Sequence, residues 1–125
     1  RTVPLGDGDV PWPAELKRLL GGVNYDGYCL EYDSDRSGGF EPLRFLPKGD
    51  KIVVLGLVTS KSGTLEKKDD VKRRIEEAAK FAPLDQFCLS PQCGFASTEE
   101  GNVLAEEEQW AKLRMIKELA DEVWK

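Results

Sequence analysis

A chain of 125 residues sets a limit of one domain, and its composition of 40% hydrophobic and 33% charged residues is too apolar for a disordered chain. With 18 basic and 23 acidic residues the net charge is −5, and no basic stripe interrupts it, which argues against nucleic acid and anionic membranes as partners. No run approaches the roughly 18 apolar residues of a membrane span, no signal-peptide pattern opens the chain, and three cysteines make no disulfide framework, so a reducing cytoplasm is the expected compartment.

The chain contains no histidine. That excludes a Ser-His-Asp triad, a Cys-His dyad and any His-containing metal site built from this chain alone.

Residues 1–13 are rich in Pro, Gly and Asp and read as loop. Pro13 suits the first turn of a short helix over Ala14–Leu20, with Leu16, Leu19 and Leu20 on one face and Gly21-Gly22 as its stop. Tyr25–Asp33 reads as the first strand. Alternation places Cys29, Glu31 and Asp33 on one side and Tyr28, Leu30 and Tyr32 on the other. A polar turn over 34–39 and a short helical piece at Glu41–Phe45 follow. Lys51–Ser60 is the second strand. Its run Ile52-Val53-Val54-Leu55-Gly56-Leu57-Val58 lacks alternation, which predicts cover on both faces, and Gly56 predicts a close approach.

Asp69 or Asp70 is placed to cap a helix running to about Phe81, with Ile75, Ala78, Ala79 and Phe81 facing inward. Gln86–Ser90 is the third strand. The last helix covers about Ala105–Val123, where Trp110, Leu113, Ile116, Leu119 or Ala120, and Val123 recur at helical spacing and predict a core stripe. Its acidic start, Glu106-Glu107-Glu108, complements the helix dipole. Trp124 is placed either to anchor packing or to cover an interface, and Trp12 to anchor packing near the other end.

Strands alternating with helices define an α/β class with a parallel sheet. Three strands are too few for a closed barrel, which needs eight and about 250 residues.

The stretch with the most chemistry is Leu89-Ser90-Pro91-Gln92-Cys93-Gly94. Pro91 cannot continue a central strand and Gly94 lets the backbone turn, so Cys93 falls at the carboxyl end of a strand, where α/β folds hold their sites. By residue chemistry alone Cys93 is either a small buried apolar residue or a reactive rim group. Cys29 and Cys88 read as core. Asp33 and Arg36 read as an ion pair shaping a loop, and Glu99 and Glu100 as a solvated loop.

The run SPQCGFASTEEGN with QWAKL downstream, LEYD and FEPL upstream, and VLGLVTSK between them resemble, in the same order, the carboxyl-terminal end of cobalamin-independent methionine synthases, above all the short single-barrel members. The resemblance covers residues 23–125, and residues 1–22 stand apart as loop and short helix. It implies that the chain forms the last three strand–helix units of a (β/α)8 barrel. In that family, zinc activates homocysteine for methylation by 5-methyltetrahydrofolate, as its polyglutamate, to give methionine (a 5-methyltetrahydropteroyltriglutamate–homocysteine S-methyltransferase). Carried over residue by residue, Glu31 matches the glutamate ligand in its Leu-Glu-Tyr-Asp setting and Cys93 matches the final cysteine ligand.

The family's His-x-Cys pair has no counterpart upstream of residue 23, so this chain alone lacks half of a tetrahedral zinc site and is expected to be inactive by itself. Ser60, Lys61 and Asp33 lie on the same rim as weaker substrate-binding positions, Ser60-Lys61 for a substrate carboxylate and Asp33 for a pterin. An incomplete sheet with open edges implies a partner, either the complementary barrel segment or a second copy. The competing expectations are a noncatalytic α/β fragment that binds no zinc, and part of a related zinc-dependent thiol alkyltransferase of the coenzyme M type.

Overall fold

The computed structural model describes residues 12–32, 38–92, 94–96 and 101–125, with backbone alone for 12–16. Helix α1 (Trp12–Gly22) leads into strand β1 (Gly27–Glu31). A 3-10 turn (Glu41–Phe45) precedes β2 (Ile52–Val58), and α2 (Lys68–Ala79) connects to a second 3-10 turn (Leu84–Gln86). Strand β3 (Phe87–Pro91) and the long helix α3 (Glu106–Val123) complete the order. The three strands form one parallel sheet in the order β1-β2-β3. Gly27 pairs with Ile52 and Glu31 with Gly56, while Val53 pairs with Phe87 and Gly56 with Ser90. A register shift between Gly56 and Val58 lets Val58 pair with Pro91. Pro91 closes β3 on a sheet edge, the position in which a missing N–H costs least.

One face of the sheet is packed. Tyr28, Val53, Leu55, Leu57 and Phe87 meet Val71, Ile75 and Ala78 of α2 and Met115, Ile116 and Leu119 of α3 in a single cluster. Val53, Leu55, Ala78 and Leu119 are fully buried. This is the face that the period of β1 and of α2 points toward, so pattern and packing agree there.

The lower rim, at the amino ends of the strands, is held by side chains that satisfy main-chain carbonyls. The Tyr28 hydroxyl lies 2.8 Å from Leu19 O and 3.1 Å from Leu20 O, which ties the end of α1 to β1. Lys51 Nζ donates to Val23 O at 2.6 Å and to the Tyr28 hydroxyl at 3.1 Å. Gln86 Nε2 donates to Pro47 O and Lys51 O, both at 2.8 Å. These bonds fix loops that would otherwise leave buried carbonyls unpaired.

Several expectations are corrected. Gly21 and Gly22 do not stop α1 before them but form its last turn, which begins at Trp12. A helical glycine costs only about 1 kcal/mol, and the packing of α1 against the Glu41–Phe45 turn outweighs it. Neither Asp69 nor Asp70 caps α2. The cap position is Lys67, which makes no side-chain capping bond, and both aspartates sit in the first turn, where they complement the helix dipole.

The α3 stripe holds at Ile116 and Leu119, which are buried, and at Val123, which packs against the core, but not at Trp110. Trp110 is 50% exposed, and the buried residues are Lys112, Met115, Ile116 and Leu119. The indole of Trp110 donates instead to Glu106 Oε1 at 3.2 Å. The second strand is covered on both faces only toward its carboxyl end, because Ile52 is exposed and Val54 half-buried. Cys29 and Cys88 are exposed, not core, since they project from the sheet face opposite the one that α2 and α3 pack against. Trp124 does anchor packing. It lies against the core and its indole donates to Leu84 O at 2.9 Å.

Candidate functional site

Strand parity assembles the uncovered face from Cys29 and Glu31 of β1, Ile52, Val54 and Gly56 of β2, and Cys88 and Ser90 of β3. Two rows cross the sheet. Cys29, Val54 and Cys88 lie in one, and Glu31, Gly56 and Ser90 lie in the next, at the carboxyl ends of the strands. Glu31 is the last residue of β1 and is exposed. Gly56 is buried between the other two strands. A Cβ added there would stand 3.0 Å from Leu30 O, 3.6 Å from the Glu31 Cα and 3.6 Å from Gln92 Nε2. The glycine is therefore required by a close approach, as its place in an apolar run suggested.

The segment after β3 is gripped by the end of β2. The Gln92 N–H donates to Val58 O at 3.1 Å and its side-chain Nε2 to Gly56 O at 2.7 Å. The Gly94 N–H donates to Gln92 O at 2.7 Å, and Gly94 has φ +103°, a left-handed conformation open to glycine. Asn102 Nδ2 donates to Ser60 O at 3.0 Å and to Gly94 O at 3.1 Å. Lys112, fully buried, reaches up from α3 to donate to Thr59 O and to Glu66 Oε1, both at 2.8 Å. An ammonium at that depth is tolerable only because it is paired and hydrogen-bonded. Two buried acceptors in this zone, Gln92 Oε1 and Glu66 Oε2, have no hydrogen-bond partner.

Beside the end of β1, Tyr32 is buried against Phe40, ring centroids 4.5 Å apart, and Arg74 donates to Tyr32 O while stacking 5.3 Å from the Phe40 ring. Burial pushes the Tyr32 phenol above its ordinary value; the Glu41 carboxylate adds to this and Arg74 opposes it. The aromatic pair braces the chain where it leaves the site.

The rim positions expected from sequence are placed as follows. Glu31 stands at the end of β1, in the row of Gly56 and Ser90. Ser60 is 2% exposed and Lys61 is exposed, so the two adjacent residues differ in access to solvent. Cys93 and Asp33, with Arg36, Glu99 and Glu100, lie outside the described residues. The two flanks of Cys93, Gln92 and Gly94, are described and tied down. Among the described residues no three His, Cys, Asp or Glu side chains come together as a metal-binding group. The donor set fits zinc only in part. With no histidine in the chain, a carboxylate and a thiolate are what it offers, and a tetrahedral site needs four ligands.

Sequence reasoning missed Gln92, Asn102, Lys112 and Glu66 as organising residues. For Lys112 a signal was present: it lies three and four residues before Met115 and Ile116, on the buried face of α3. For Glu66 nothing in the local pattern pointed inward.

The sequence profile of the family described as the catalytic domain of cobalamin-independent synthases matches residues 21–121. Two proteins of Bacillus subtilis (strain 168), YxjG and YxjH, both uncharacterized, are 63% and 61% identical over 114 residues. The match covers 91% of this chain but only 30% of each relative, so the chain spans less than a third of their length. The crystal structure of a candidate vitamin-B12-independent methionine synthase from Listeria monocytogenes superposes with a TM-score of 0.66 at 38% identity, over 90% of this chain and 32% of that one. A profile match across most of the chain, joined to a structural match at 38% identity over 90% of it, means that this chain belongs to the cobalamin-independent methionine synthase family.

Proposed function

We propose that the chain forms one side of the active site of a methyltransferase that moves a methyl group from a 5-methyltetrahydrofolate to the thiol of homocysteine, giving methionine in the cytoplasm. The observation that carries this reading is the row Glu31–Gly56–Ser90 on the uncovered face, with the Gln92 side chain bonded to Gly56 O beside it. In this reading residues 23–125 are the last three strand–helix units of a (β/α)8 barrel, with residues 1–22 as a lead-in. Support comes from the one-sided packing. All three strands are parallel and sequential, the helices cover one face, and the exposed face carries Cys29, Glu31 and Cys88. Helices on one side of a sequential parallel sheet suit a barrel wall, since a doubly wound sheet carries helices on both faces.

Glu31 and Cys93 would hold zinc together with ligands from outside this chain; the metal's contribution would be to lower the pKa of the homocysteine thiol. The residues of this chain shape the site. Glu31 supplies negative charge at the end of β1. Gly56 leaves the floor between β1 and β3 free of a side chain. Lys61 would meet a substrate carboxylate, with the buried Ser60 beside it in sequence as support, and Asp33 would meet the pterin. Homocysteine and the folate are the substrates, and the complementary barrel segment is the partner that completes the wall.

The test is to assemble the complete catalytic domain carrying this segment and measure bound zinc and methionine formation. Cys93→Ser and Glu31→Gln should each lower both. Zinc content and rate unchanged in Cys93→Ser would overturn the reading. The second reading, a noncatalytic α/β fragment, draws on the short donor set. Native mass spectrometry of the unchelated chain separates them, because a 14.0 kDa species that takes up neither zinc nor the complementary segment supports the fragment.

A further inference from the structure

The loop that leaves β2, residues 59–67, is tied to α3 and its lead-in at its start, middle and end. At the start, Lys112 Nζ donates to Thr59 O at 2.8 Å and Asn102 Nδ2 to Ser60 O at 3.0 Å. At the end, the same Lys112 ammonium donates to Glu66 Oε1 at 2.8 Å. In the middle, a Cβ at Gly63 would collide with the Glu108 carboxylate, which itself accepts from the Ala105 N–H at 2.8 Å. Glu108 and Lys112 are one turn apart, so one face of α3 carries both. Inside the loop, the Lys61 N–H donates to Thr59 Oγ1 and the Thr64 N–H to Ser62 Oγ, both at 3.2 Å. Thr59 links the two sets of bonds. Its carbonyl is held by Lys112, and its hydroxyl holds the main chain of Lys61.

Packing alone does not call for an ammonium at position 112. The buried arc of α3 continues through Met115, Ile116 and Leu119, and Lys112 is the charged side chain in it. An apolar side chain of similar length would fill that place without the desolvation that a buried ion pair costs. Glu66 adds a cost of its own, since its second oxygen is buried without a hydrogen-bond partner. What the pair provides, and an apolar side chain does not, is direction. Two aimed bonds from one nitrogen fix the distance between the two ends of the loop.

We propose that Lys112 and Glu66 are positioning residues for the Ser60–Lys61 rim. By closing the loop from Thr59 to Glu66, they set where Lys61 presents its ammonium to a substrate carboxylate. The inference rests on the reading of Lys61 as the carboxylate contact and deepens it. Lys112 is fully buried and acts through Thr59, so it touches no substrate atom. The effect to look for follows from the chemistry. The carboxylate of homocysteine lies at the other end of the molecule from the sulfur and keeps its charge throughout methyl transfer. A contact to it stabilises ground state and transition state alike, so loosening that contact raises KM and spares kcat.

The test is steady-state kinetics of the complete catalytic domain carrying this segment, with homocysteine varied and the folate saturating. Lys112→Met should raise KM for homocysteine about tenfold, with kcat within about twofold of the parent. Lys61→Met, which removes the contact itself, is the reference and should raise KM at least as far. Lys112→Met combined with Glu66→Gln tells positioning from mere stability. The second change recovers part of the lost stability but leaves the loop unclosed, so KM should stay raised. Glu66→Gln by itself weakens the ion pair and should raise KM about threefold, which keeps the proposal testable if Lys112→Met fails to fold. The proposal is overturned if Lys61→Met raises KM while Lys112→Met, or Glu66→Gln in its place, leaves it unchanged. It is overturned equally if KM in the double variant returns toward the parent in step with stability. Failure of the underlying reading looks different: Lys61→Met would itself leave KM unchanged, or the parent domain would form no methionine, and the proposal would fall with it.

Discussion

The two faces of the sheet differ in what holds them. The covered face is apolar and closed by helices of the same chain, with Val53, Leu55 and Phe87 set against α2 and α3. The uncovered face alternates apolar and chemical groups, Cys29, Glu31, Ile52 and Cys88, all exposed. The difference teaches where stability and chemistry reside. Side-chain volume matters on the first face, because packed interiors relax little around a gap. Side-chain identity matters on the second, where exposed groups contribute little to packing.

The largest effect expected from breaking this contrast is on the covered face. Leu55→Ala should lower unfolding stability by about 2–5 kcal/mol, because Leu55 has no exposed surface and the gap cannot collapse. Cys88→Ala, one residue before the strand partner of Leu55 but on the other face, should change it by less than about 0.5 kcal/mol. Urea unfolding of both variants measures the contrast, and equal losses would mean that the second face is covered in solution.

Next in size is Lys112→Met. The substitution keeps much of the buried stem but leaves Glu66 and Thr59 O without the ammonium. Glu66 retains 22% exposure, which eases the cost to about 3 kcal/mol, the low end for a broken buried pair. Unfolding of the single variant and of Lys112→Met with Glu66→Gln should show the second change recovering part of the loss.

The smallest effect belongs to the outer surface of the helices, remote from both faces. The Glu122 carboxyl is held below its ordinary value, first by its hydrogen bond from Lys72 and then by charge attraction to the same residue. A carboxyl depressed in the folded state contributes stability above the unfolded value of about 4.3, and loses it as pH falls through the folded value. Acid unfolding below about pH 4 should therefore be shallower in Lys72→Met than in the parent, with the two curves parallel near neutrality. A buried tyrosine acts in the opposite sense. Tyr32, raised above its ordinary value of 10.0, contributes stability that is fully present below that value and is lost as pH rises beyond it.

Much of this architecture was legible in order and type. The β-branched run at Ile52–Val58 and the amphipathic period of α2 led to the observed elements with ends shifted by one to three residues. The short helical piece expected at Glu41–Phe45 is the 3-10 turn. Parallel pairing followed from alternation of strands and helices. The α3 stripe was legible at Ile116, Leu119 and Val123 but failed at Trp110, the largest apolar side chain, because period alone does not fix how far the inward arc extends. Packing chose the arc through Met115 and Leu119 and brought Lys112 inside with it. The cysteines failed for a related reason. Residues of one parity share a face, but parity does not say whether that face is covered, and Cys29 and Cys88 are exposed.

At the site, Glu31 was legible as a carboxylate at a strand end, and Gly56 as a close approach. The grip of Gln92 and Asn102 on β2 was not, because its partners are main-chain carbonyls 36 and 42 residues away in sequence. By itself the sequence determined the class of fold, the order of its elements and the residue types available for chemistry, since propensity, period and composition act over a few neighbours. Tertiary structure alone decided which sheet face the helices cover, which polar side chains are buried and what holds the two sides of position 93. Those outcomes depend on distances between segments far apart in the chain, and no local pattern encodes them.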